Sequence, residues 1–263
     1  MQQQTSGWNP DTNVTEQAPG FYFVEGPASN WIVVRDGTGF IIIDSGYPGD
    51  RGHVLASLRY LGLEPADAKA MLITHGHVDH TGSAAFFSDS FGTPVLCAPE
   101  ELGHVQGREK HQVTLGQVIS RAWRPLVFRW TVHVIKAGAL RAKPASRAEA
   151  WDPDRLQALP GGPVAINLPG HTPGNAAIHF PDAGVIAVGD AFVSGHPISR
   201  TAGPQLLHRM YHQDPAAAQA VLRKLDSVEA GVVLPGHGPA LRGPLATALA
   251  ALGNSGQPRT LSR

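Results

Sequence analysis

The chain has 263 residues, of which 42% are hydrophobic and only 16% charged, and this balance indicates a folded globular protein rather than a disordered one. Its 21 Lys and Arg residues equal its 21 Asp and Glu residues, which argues against a nucleic-acid-binding protein because such proteins need a basic excess or a basic face. The one cysteine, Cys97, cannot form an internal disulfide, so the core or bound metals must stabilise the fold.

The N-terminal segment, residues 1–20, is polar and rich in turn-forming residues, and it predicts a loosely held arm. This segment has neither the basic start nor the apolar stretch of a signal peptide. No apolar run in the chain reaches the roughly 18 residues that a membrane span requires. We therefore expect a cytoplasmic protein with no membrane partner.

Short runs of β-prone residues follow this arm. The runs at residues 21–24, 30–35 and 40–43 are separated by Gly-Pro and Asp-Gly turns, which predicts an antiparallel meander. An amphipathic helix is predicted next, with Asp50 as its cap and Gly62 just beyond its end.

The middle of the chain contains a buried-type strand and then a segment of different character. The strand at residues 70–74 runs directly into a histidine-rich segment, and a helix is predicted to begin near Asp79 or Thr81. Residues 99–122 read as mostly helical, and an apolar Trp-bearing stretch and a basic Ala-rich stretch follow them. We interpret residues 99–150 as a helical insertion, which is either a structural helix pair or a lid over a pocket.

Strand-like runs return in the C-terminal half of the chain, at residues 164–168, 176–180, 185–188 and 231–234. Between the last two, Asp214 and Pro215 predict the start of another helix. Strands that come in groups with helices between them fit two packed sheets with helices outside, which is an α+β class. One domain is thus expected over residues 21–250, with a polar tail at 251–263.

The strongest signal in the sequence is the segment 74–80, Thr-His-Gly-His-Val-Asp-His. Four side chains that commonly bind metals occur within six residues: His75, His77, Asp79 and His80. Imidazole and carboxylate groups that are buried together need partners, so this spacing predicts a metal site.

Three further residues of ligand type, His171, Asp190 and His237, each follow a short apolar strand and lie next to glycine. Glycine allows the backbone to turn sharply and lets a metal approach closely. If these strand ends share one edge of the two sheets, all seven side chains converge on one point.

The order H-x-H-x-D-H, G-H-T-P-G, G-D and G-H-G resembles the metallo-β-lactamase superfamily over about residues 21–239. The resemblance implies an αββα sandwich of two mixed β-sheets flanked by helices, with two metals at one edge. The first metal would be held by His75, His77 and His171. The second metal would be held by Asp79, His80 and His237. By the same resemblance Asp190 bridges both metals, and Asp44 braces the ligand loop; a turn-capping role is the alternative for Asp44.

Paired metals of this kind activate a shared water for attack on a carbonyl or phosphoryl group. Asp79 faces that position in the implied site, so it is also the candidate for moving protons. Ligands without thiolate suit two Zn²⁺ ions, although iron or manganese would also be accepted. Three residues in the segment after the bridging aspartate are candidates for lining a substrate pocket: His196, His208 and Tyr211.

The motifs are less specific for the substrate than for the fold. Zinc β-lactamases generally lack an aspartate at the bridging position, where this chain has Asp190. Glyoxalase II-like thioesterases keep all seven ligands, but their C-terminal helical region is not evident after His237. Lactonases of this superfamily usually place a tyrosine shortly after the bridging aspartate, whereas Phe192 and Val193 stand here. We expect a hydrolase of a small-molecule ester, thioester or lactone, with β-lactam hydrolysis or a single-iron oxidoreductase similar to the persulfide dioxygenases as alternatives.

Two other classes share parts of these motifs. Persulfide dioxygenases resemble the pattern but use a single iron, while flavodiiron proteins place a glutamate where His77 stands. A relative of the tRNA-end nucleases is disfavoured by the zero net charge. We therefore expect a small-molecule substrate and no nucleic-acid partner, and the sequence leaves the oligomeric state open.

Overall fold

The computed structural model describes residues 7–113, 116, 118 and 120–254 of the chain. Its strands form two mixed sheets that pack face to face, with helices on the outer faces. The α+β class and the αββα sandwich expected from the sequence are therefore confirmed.

The first sheet contains seven strands, whose spatial order is their chain order: β1 (Val14–Ala18), β2 (Phe21–Glu25), β3 (Asn30–Asp36), β4 (Gly39–Ile43), β5 (Ala68–Ile73), β6 (Val95–Cys97) and β7 (Glu149–Ala150). Strands β1 to β4 form an antiparallel meander. The pairs from β4 to β7 are parallel, so β4 and β5 end at the same edge of the sheet.

The second sheet contains five strands that also lie in chain order: β8 (Val164–Asn167), β9 (Ala176–Phe180), β10 (Val185–Gly189), β11 (Val232–Pro235) and β12 (Leu241–Arg242). Strands β10 and β11 are parallel, and the other neighbours are antiparallel. Because β8 and β10 both pair antiparallel with β9, the carboxyl ends of β8, β10 and β11 share one edge.

The described α-helices are α1 (Pro10–Asn13), α2 (Arg51–Tyr60), α3 (Ala84–Phe91), α4 (Leu102–Val105), α5 (Pro125–Lys136), α6 (Pro153–Gln157), α7 (Pro215–Ala220) and α8 (Leu245–Asn254). Asp214 caps α7 as predicted, because its side chain accepts the backbone N–H groups of Ala216 and Ala217 at 3.0 Å. No helix in the described part of the chain is long and apolar enough to cross a bilayer.

Both faces of β3 are buried, so this strand packs against the second sheet on one side and against helices on the other. Ile32 and Val34 belong to the core between the sheets, while Trp31 and Val33 belong to the core under α2 and α3. The burial of each such side chain contributes about 1.5–3 kcal/mol to folding. A strand covered on both faces reads as a continuous apolar run, as residues 31–34 do.

The loosely held arm predicted for residues 1–20 is corrected for residues 10–18, which form α1 and the edge strand β1. The segment is attached to the sheet, since Val14 is buried and the Trp8 Nε1–H donates to the Glu25 carbonyl at 3.0 Å. The sequence did not signal this strand because only one of its five side chains is buried, so apolar alternation is missing. Residues 1–6 lie outside the described residues.

The predicted insertion at residues 99–150 contains less helix in its first part than expected. Its described elements are a 3-10 turn at Pro99–Glu101, α4, α5, a second 3-10 turn at Ala139–Arg141 and β7. Helix α4 ends at Val105, and Gly107 then adopts a left-handed backbone with φ of 75°. Positions 114, 115, 117 and 119 of the predicted helix lie outside the described residues. Whether the insertion acts as a lid stays a prediction.

The two remaining boundaries also differ from the sequence-based ones. Helix α3 begins at Ala84 rather than near Asp79 or Thr81, because residues 77–82 form a tight loop in which the His80 and Thr81 N–H groups donate to the His77 carbonyl. At the C-terminus α8 continues to residue 254, so residues 251–254 of the predicted polar tail are helical. Residues 255–263 lie outside the described residues.

Candidate metal centre

The shared edge of the two sheets carries the seven predicted ligand residues. They form three overlapping groups in which one ligand atom per residue lies within 4.8 Å of the others: His75–His77–His171, His75–His80–Asp190 and Asp79–His80–His237. Asp79 is partly exposed and the other six residues are buried. Asn30 joins the two sheets at this edge, since its Nδ2 donates to the carbonyls of Pro235 and Gly238.

Asp190 lies between two sets of histidines. Its Oδ2 atom is 3.6 Å from the Nε2 of His171, 3.9 Å from that of His75 and 3.4 Å from that of His237. Its Oδ1 atom is 3.6 Å from His80 Nε2. This carboxylate therefore lies within 3.9 Å of the inner nitrogens of four of the five histidines.

Glycine makes room for this arrangement at one position. A Cβ on Gly236 would lie 2.4 Å from Asp190 Oδ1 and 2.7 Å from His80 Cε1. Any other side chain would push the strand end away from the carboxylate, which explains why His237 is preceded by glycine.

Hydrogen bonds to the outer nitrogen of each imidazole leave the inner nitrogen available as a ligand. The Nδ1–H of His80 donates to Asp44 Oδ2 at 2.8 Å, and the Nδ1–H of His237 donates to the Ala28 carbonyl at 2.7 Å. The Nε2–H of His77 donates to the His111 carbonyl at 2.9 Å, which leaves Nδ1 as its inner nitrogen. Such partners fix the tautomer and ring orientation of metal-binding histidines.

Asp44 positions two histidines of the cluster, His80 directly and His75 through Thr74. Its Oδ1 accepts the Thr74 backbone N–H at 2.9 Å, and its Oδ2 accepts the Thr74 hydroxyl at 2.7 Å as well as His80. The Thr74 Oγ1 then accepts the Nδ1–H of His75 at 3.1 Å. Asp44 is also the one non-glycine residue with positive φ in the described chain, at 59°, a conformation that costs about 1–3 kcal/mol. The side chain thus bridges the ends of β4 and β5 rather than only capping a turn.

His171 is oriented by a second histidine that the sequence analysis did not select. The Nε2–H of His212 donates to the Leu207 carbonyl at 3.1 Å, so the His212 Nδ1 atom carries a lone pair. This Nδ1 lies 3.3 Å from His171 Nδ1 and accepts its proton. The Nε2 atom of His171 is then free of hydrogen and faces the cluster.

Glu101 joins the two loops that carry the first group of histidines. Its Oε1 accepts the Gly76 N–H at 2.8 Å, and its Oε2 accepts the Gly174 N–H and the Thr172 hydroxyl at 2.8 Å each. His104 donates to Oε1 at 2.9 Å. Burial raises the pKa of this carboxyl, but these donors outweigh burial and lower the pKa. Nothing in the sequence distinguishes Glu101 from its neighbour Glu100, so this role could not be predicted.

The chemistry of the donor set fits cations at its centre. The inner nitrogens of His75 and His77 lie 3.2 and 3.0 Å from His171 Nε2. With the outer nitrogens donating elsewhere, these three atoms carry lone pairs that repel one another unless a cation lies among them. His80 Nε2 and Asp190 Oδ1 are buried with no hydrogen-bond partner among the described residues, a costly arrangement that metal coordination relieves.

The pKa values of the clustered histidines are shifted in opposite directions: they are lowered at His75 and His171 and raised at His80 and His237. Burial lowers the pKa of His75 and His171 well below the ordinary value, so both are neutral imidazoles at pH 7. Burial would also lower the pKa of His80, but the carboxylates of Asp44 and Asp190 outweigh it and raise the pKa to about 9. Burial likewise opposes the rise at His237, whose pKa Asp190 lifts well above its usual range.

A group of aromatic side chains lies beside His237. The ring of His196 lies 4.9 Å from that of His237 and 5.5 Å from that of Tyr211. Trp130 on α5 contacts both, at 6.1 Å from His196 and 5.8 Å from Tyr211. The Tyr211 hydroxyl is buried and has no hydrogen-bond partner among the described residues. His196 and Tyr211 therefore lie beside the cluster together with Trp130, which the sequence analysis did not select, and their contact with a substrate stays a prediction.

His208 lies apart from this aromatic group. Its Nδ1 accepts the Met210 N–H at 3.3 Å and caps the 3-10 turn at Arg209–Tyr211. This geometry gives His208 a local role in positioning that turn, and its contact with substrate stays a prediction.

Comparisons with known proteins agree with the fold and with the donor set. Residues 24–237 match the family model of the metallo-beta-lactamase superfamily, so the chain belongs to this superfamily. Membership together with the His/Asp cluster supports a metal-dependent hydrolase with divalent metal cofactors.

Among its relatives, the probable metallo-hydrolase YflN of Bacillus subtilis is 26% identical over 88% of this chain and 84% of its own length. A metallo-beta-lactamase family protein of Thermus thermophilus, TTHA1429, has a similar structure with a TM-score of 0.66 at 22% identity, covering 91% of this chain and 80% of that one. The crystal structure of TTHA1623 in a di-iron-bound form has a TM-score of 0.57 at 25% identity, covering 86% and 94% of the two chains.

Proposed function

We propose that the protein is a dinuclear metal-dependent hydrolase that cleaves a small-molecule ester, thioester or lactone. The observation that carries the proposal is the position of Asp190, whose two carboxylate oxygens lie 3.4–3.9 Å from the inner nitrogens of four histidines. Seven ligand side chains exceed what one tetrahedral ion takes, and this number supports two ions. The di-iron-bound form of TTHA1623 is consistent with two ions on this fold.

The donor set of imidazoles and carboxylates supports zinc, and iron or manganese would suit the same ligands. His75, His77 and His171 would hold one ion, and Asp79, His80 and His237 the other, with Asp190 shared. When bound, two divalent cations supply Lewis acidity that polarises a carbonyl and brings the pKa of water towards neutrality.

The chain's own residues supply proton handling and positioning. Burial raises the pKa of Asp79, but His80 and His237 outweigh burial and lower it, so the carboxylate is ionised at neutral pH. Its Oδ2 is 3.4 Å from His237 Nε2, which leaves Oδ1 to accept a proton from the attacking water and later release it. The buried Tyr211 hydroxyl is a neutral donor, since burial raises its pKa, and it can donate to a substrate oxygen.

The test is elemental analysis of the purified protein followed by an activity panel of ester, thioester, lactone and β-lactam substrates. We expect two metals per chain and turnover of a carboxylic ester, thioester or lactone. One iron per chain would favour a dioxygenase-like role, and turnover of the β-lactam alone would replace the proposed substrate class.

Variants test the ligand assignment separately from the substrate. His77→Ala and Asp190→Ala should lose bound metal and nearly all activity. His179→Ala is the matched control, because His179 lies on β9 and its Nε2 contacts the Glu229 carbonyl rather than a residue of the cluster. Full turnover by either ligand variant would refute the assignment.

A further inference from the structure

The charges of the chain are distributed unevenly along the sequence. Residues 110–148, called here the basic segment, contain eight of the 21 Lys and Arg residues and none of the 21 Asp and Glu residues. The rest of the chain therefore has an acidic excess of the same size. A neutral protein with this distribution presents one strongly cationic part.

The same segment exposes most of the large apolar side chains that face solvent in the described structure. Seven such side chains are exposed, and five of them belong to the basic segment: Trp123, Phe128, Val132, Ile135 and Leu140. Trp123 is 70% exposed and Leu140 67% exposed. Isolated apolar residues on a surface are ordinary, but a concentration of five in 18 residues marks an interaction surface.

Helix α5 has an exposed apolar face on one side and buried or aromatic side chains on the other. Phe128, Val132 and Ile135 follow i, i+4, i+7 spacing, which places them on one outward face. The inward side carries the buried Val127 and also Trp130, whose ring meets His196 and Tyr211. The helix therefore separates the aromatic group beside His237 from an apolar outer face.

Four cations of the basic segment lie on α5 or in the residues that follow it. Arg129, Lys136, Arg141 and Lys143 are exposed, and no carboxylate among the described residues pairs with them. The guanidinium of Arg124 stacks over the Trp123 ring at 4.9 Å from its centroid. Apolar side chains flanked by unpaired Lys and Arg are typical of helices that lie in the interface of an anionic membrane.

We propose that the outer face of α5 and its flanking turns dock on an anionic lipid bilayer, with Phe128 and Ile135 among the inserted side chains. The charge pattern favours lipid over other partners. A two-fold dimer through this face would bring each basic segment against its own copy, and a nucleic acid would neutralise the cations while leaving the apolar side chains in water. The inference departs from the expectation of no membrane partner, which considered spanning segments, and it does not depend on the reaction catalysed.

The experiment is co-sedimentation of the full-length protein with vesicles of phosphatidylcholine alone and of phosphatidylcholine mixed with phosphatidylglycerol. We expect binding to the mixed vesicles, weaker binding as salt rises, and a blue shift of tryptophan fluorescence because Trp123 enters the interface. Absence of binding to the mixed vesicles, or equal binding to both kinds at low salt, would overturn the proposal.

Two double variants locate the surface. Phe128→Ser with Ile135→Ser, and Arg129→Glu with Lys136→Glu, should each weaken binding to mixed vesicles by roughly tenfold or more. The matched control is Arg59→Glu with Tyr60→Ser, which changes an exposed cation and an exposed aromatic residue on α2 and should leave binding unchanged. Unchanged binding in both test variants would refute the location. Concentration-dependent self-association, or DNA binding, in place of vesicle binding would assign the surface to a second copy or to nucleic acid and overturn the lipid proposal.

Discussion

His212 accepts a hydrogen bond from His171, with the two Nδ1 atoms 3.3 Å apart, while its own Nε2–H is held by the Leu207 carbonyl. These two hydrogen bonds fix the tautomers of His171 and His212, because each neutral imidazole carries one N–H: Nδ1–H in His171 and Nε2–H in His212. His212 is not a metal ligand in this arrangement. It acts through His171, whose Nε2 it directs towards the cluster.

Replacement of this acceptor should weaken metal binding. We expect His212→Phe to lower the metal affinity by about 10–100-fold, since the His171 Nδ1–H loses its partner and the ring is no longer held in one tautomer. His212→Asn should restore part of the affinity because its amide oxygen can accept the same proton. The measurement is competition for metal against a chelator of known affinity. Equal affinities of His212→Phe and the unmodified protein would show that His171 needs no such partner.

Glu101 leads to a different expectation, because it joins two loops without touching the ligand atoms. Glu101→Gln places an NH₂ group where a carboxylate oxygen now accepts two buried donors, so at least one of them is left unpaired at a cost of about 1–3 kcal/mol. The free energy of unfolding should fall by that amount even in the metal-free protein, as measured by chemical denaturation.

Glu100→Gln is the control for this change, because Glu100 is exposed and adjacent in sequence. Its unfolding free energy should stay within about 0.5 kcal/mol of that of the unmodified protein. A similar loss in both variants, or in neither, would contradict the bridging role of Glu101.

The convergence of His171, Asp190 and His237 could be predicted from sequence because each of them follows an apolar strand and stands beside glycine. Parallel strands bring such ends to one edge, as β10 and β11 do for Asp190 and His237. The spacing of the segment 74–80 added a local signal. The sandwich fold was predictable for the same reason, since most strands are buried apolar runs with clear turns between them.

The residues that orient the ligands could not be predicted in the same way. His212 lies 41 positions from His171, and Glu101 lies 73 positions from Gly174. Their contacts depend on how two loops pack in three dimensions, and neither residue belongs to a periodic pattern or a glycine motif. The edge strand β1 escaped prediction for a related reason, because its backbone rather than its side chains attaches it to the sheet.

Cys97 provides a prediction about the core. The thiol lies on β6, fully buried, and burial raises its pKa to about 12, with a smaller contribution from Glu101. Because the thiolate is the reactive form, the folded protein should resist thiol-specific reagents at pH 8. One thiol per chain should become reactive on denaturation, at the same denaturant concentration as the loss of circular dichroism. Rapid labelling of the native protein would contradict the burial of this strand.

Metal binding should release protons from His80 and His237. In the metal-free protein His80 has a pKa of about 9, and the pKa of His237 is raised well above its usual range, so both imidazoles are protonated at pH 7. A metal requires them neutral, whereas His75 and His171 are neutral already. Calorimetric titration of the metal-free protein with Zn²⁺, in two buffers of different ionisation enthalpy, should report at least two protons released at pH 7, one from each of these imidazoles, when the two proposed ions bind.

The raised pKa values of His80 and His237 determine how metal affinity depends on pH. As pH increases from 7 towards 9, the proton on His80 is lost more easily before the metal binds, so the apparent affinity should rise by about tenfold per pH unit for each proton released. His80→Ala removes one titrating ligand, so it should reduce the number of protons released as well as the affinity. The control is His179→Ala, for which both quantities should equal those of the unmodified protein. Proton release near zero at pH 7 would mean that the carboxylates around His80 do not hold it in the charged form, and the electrostatic account of this ligand group would be wrong.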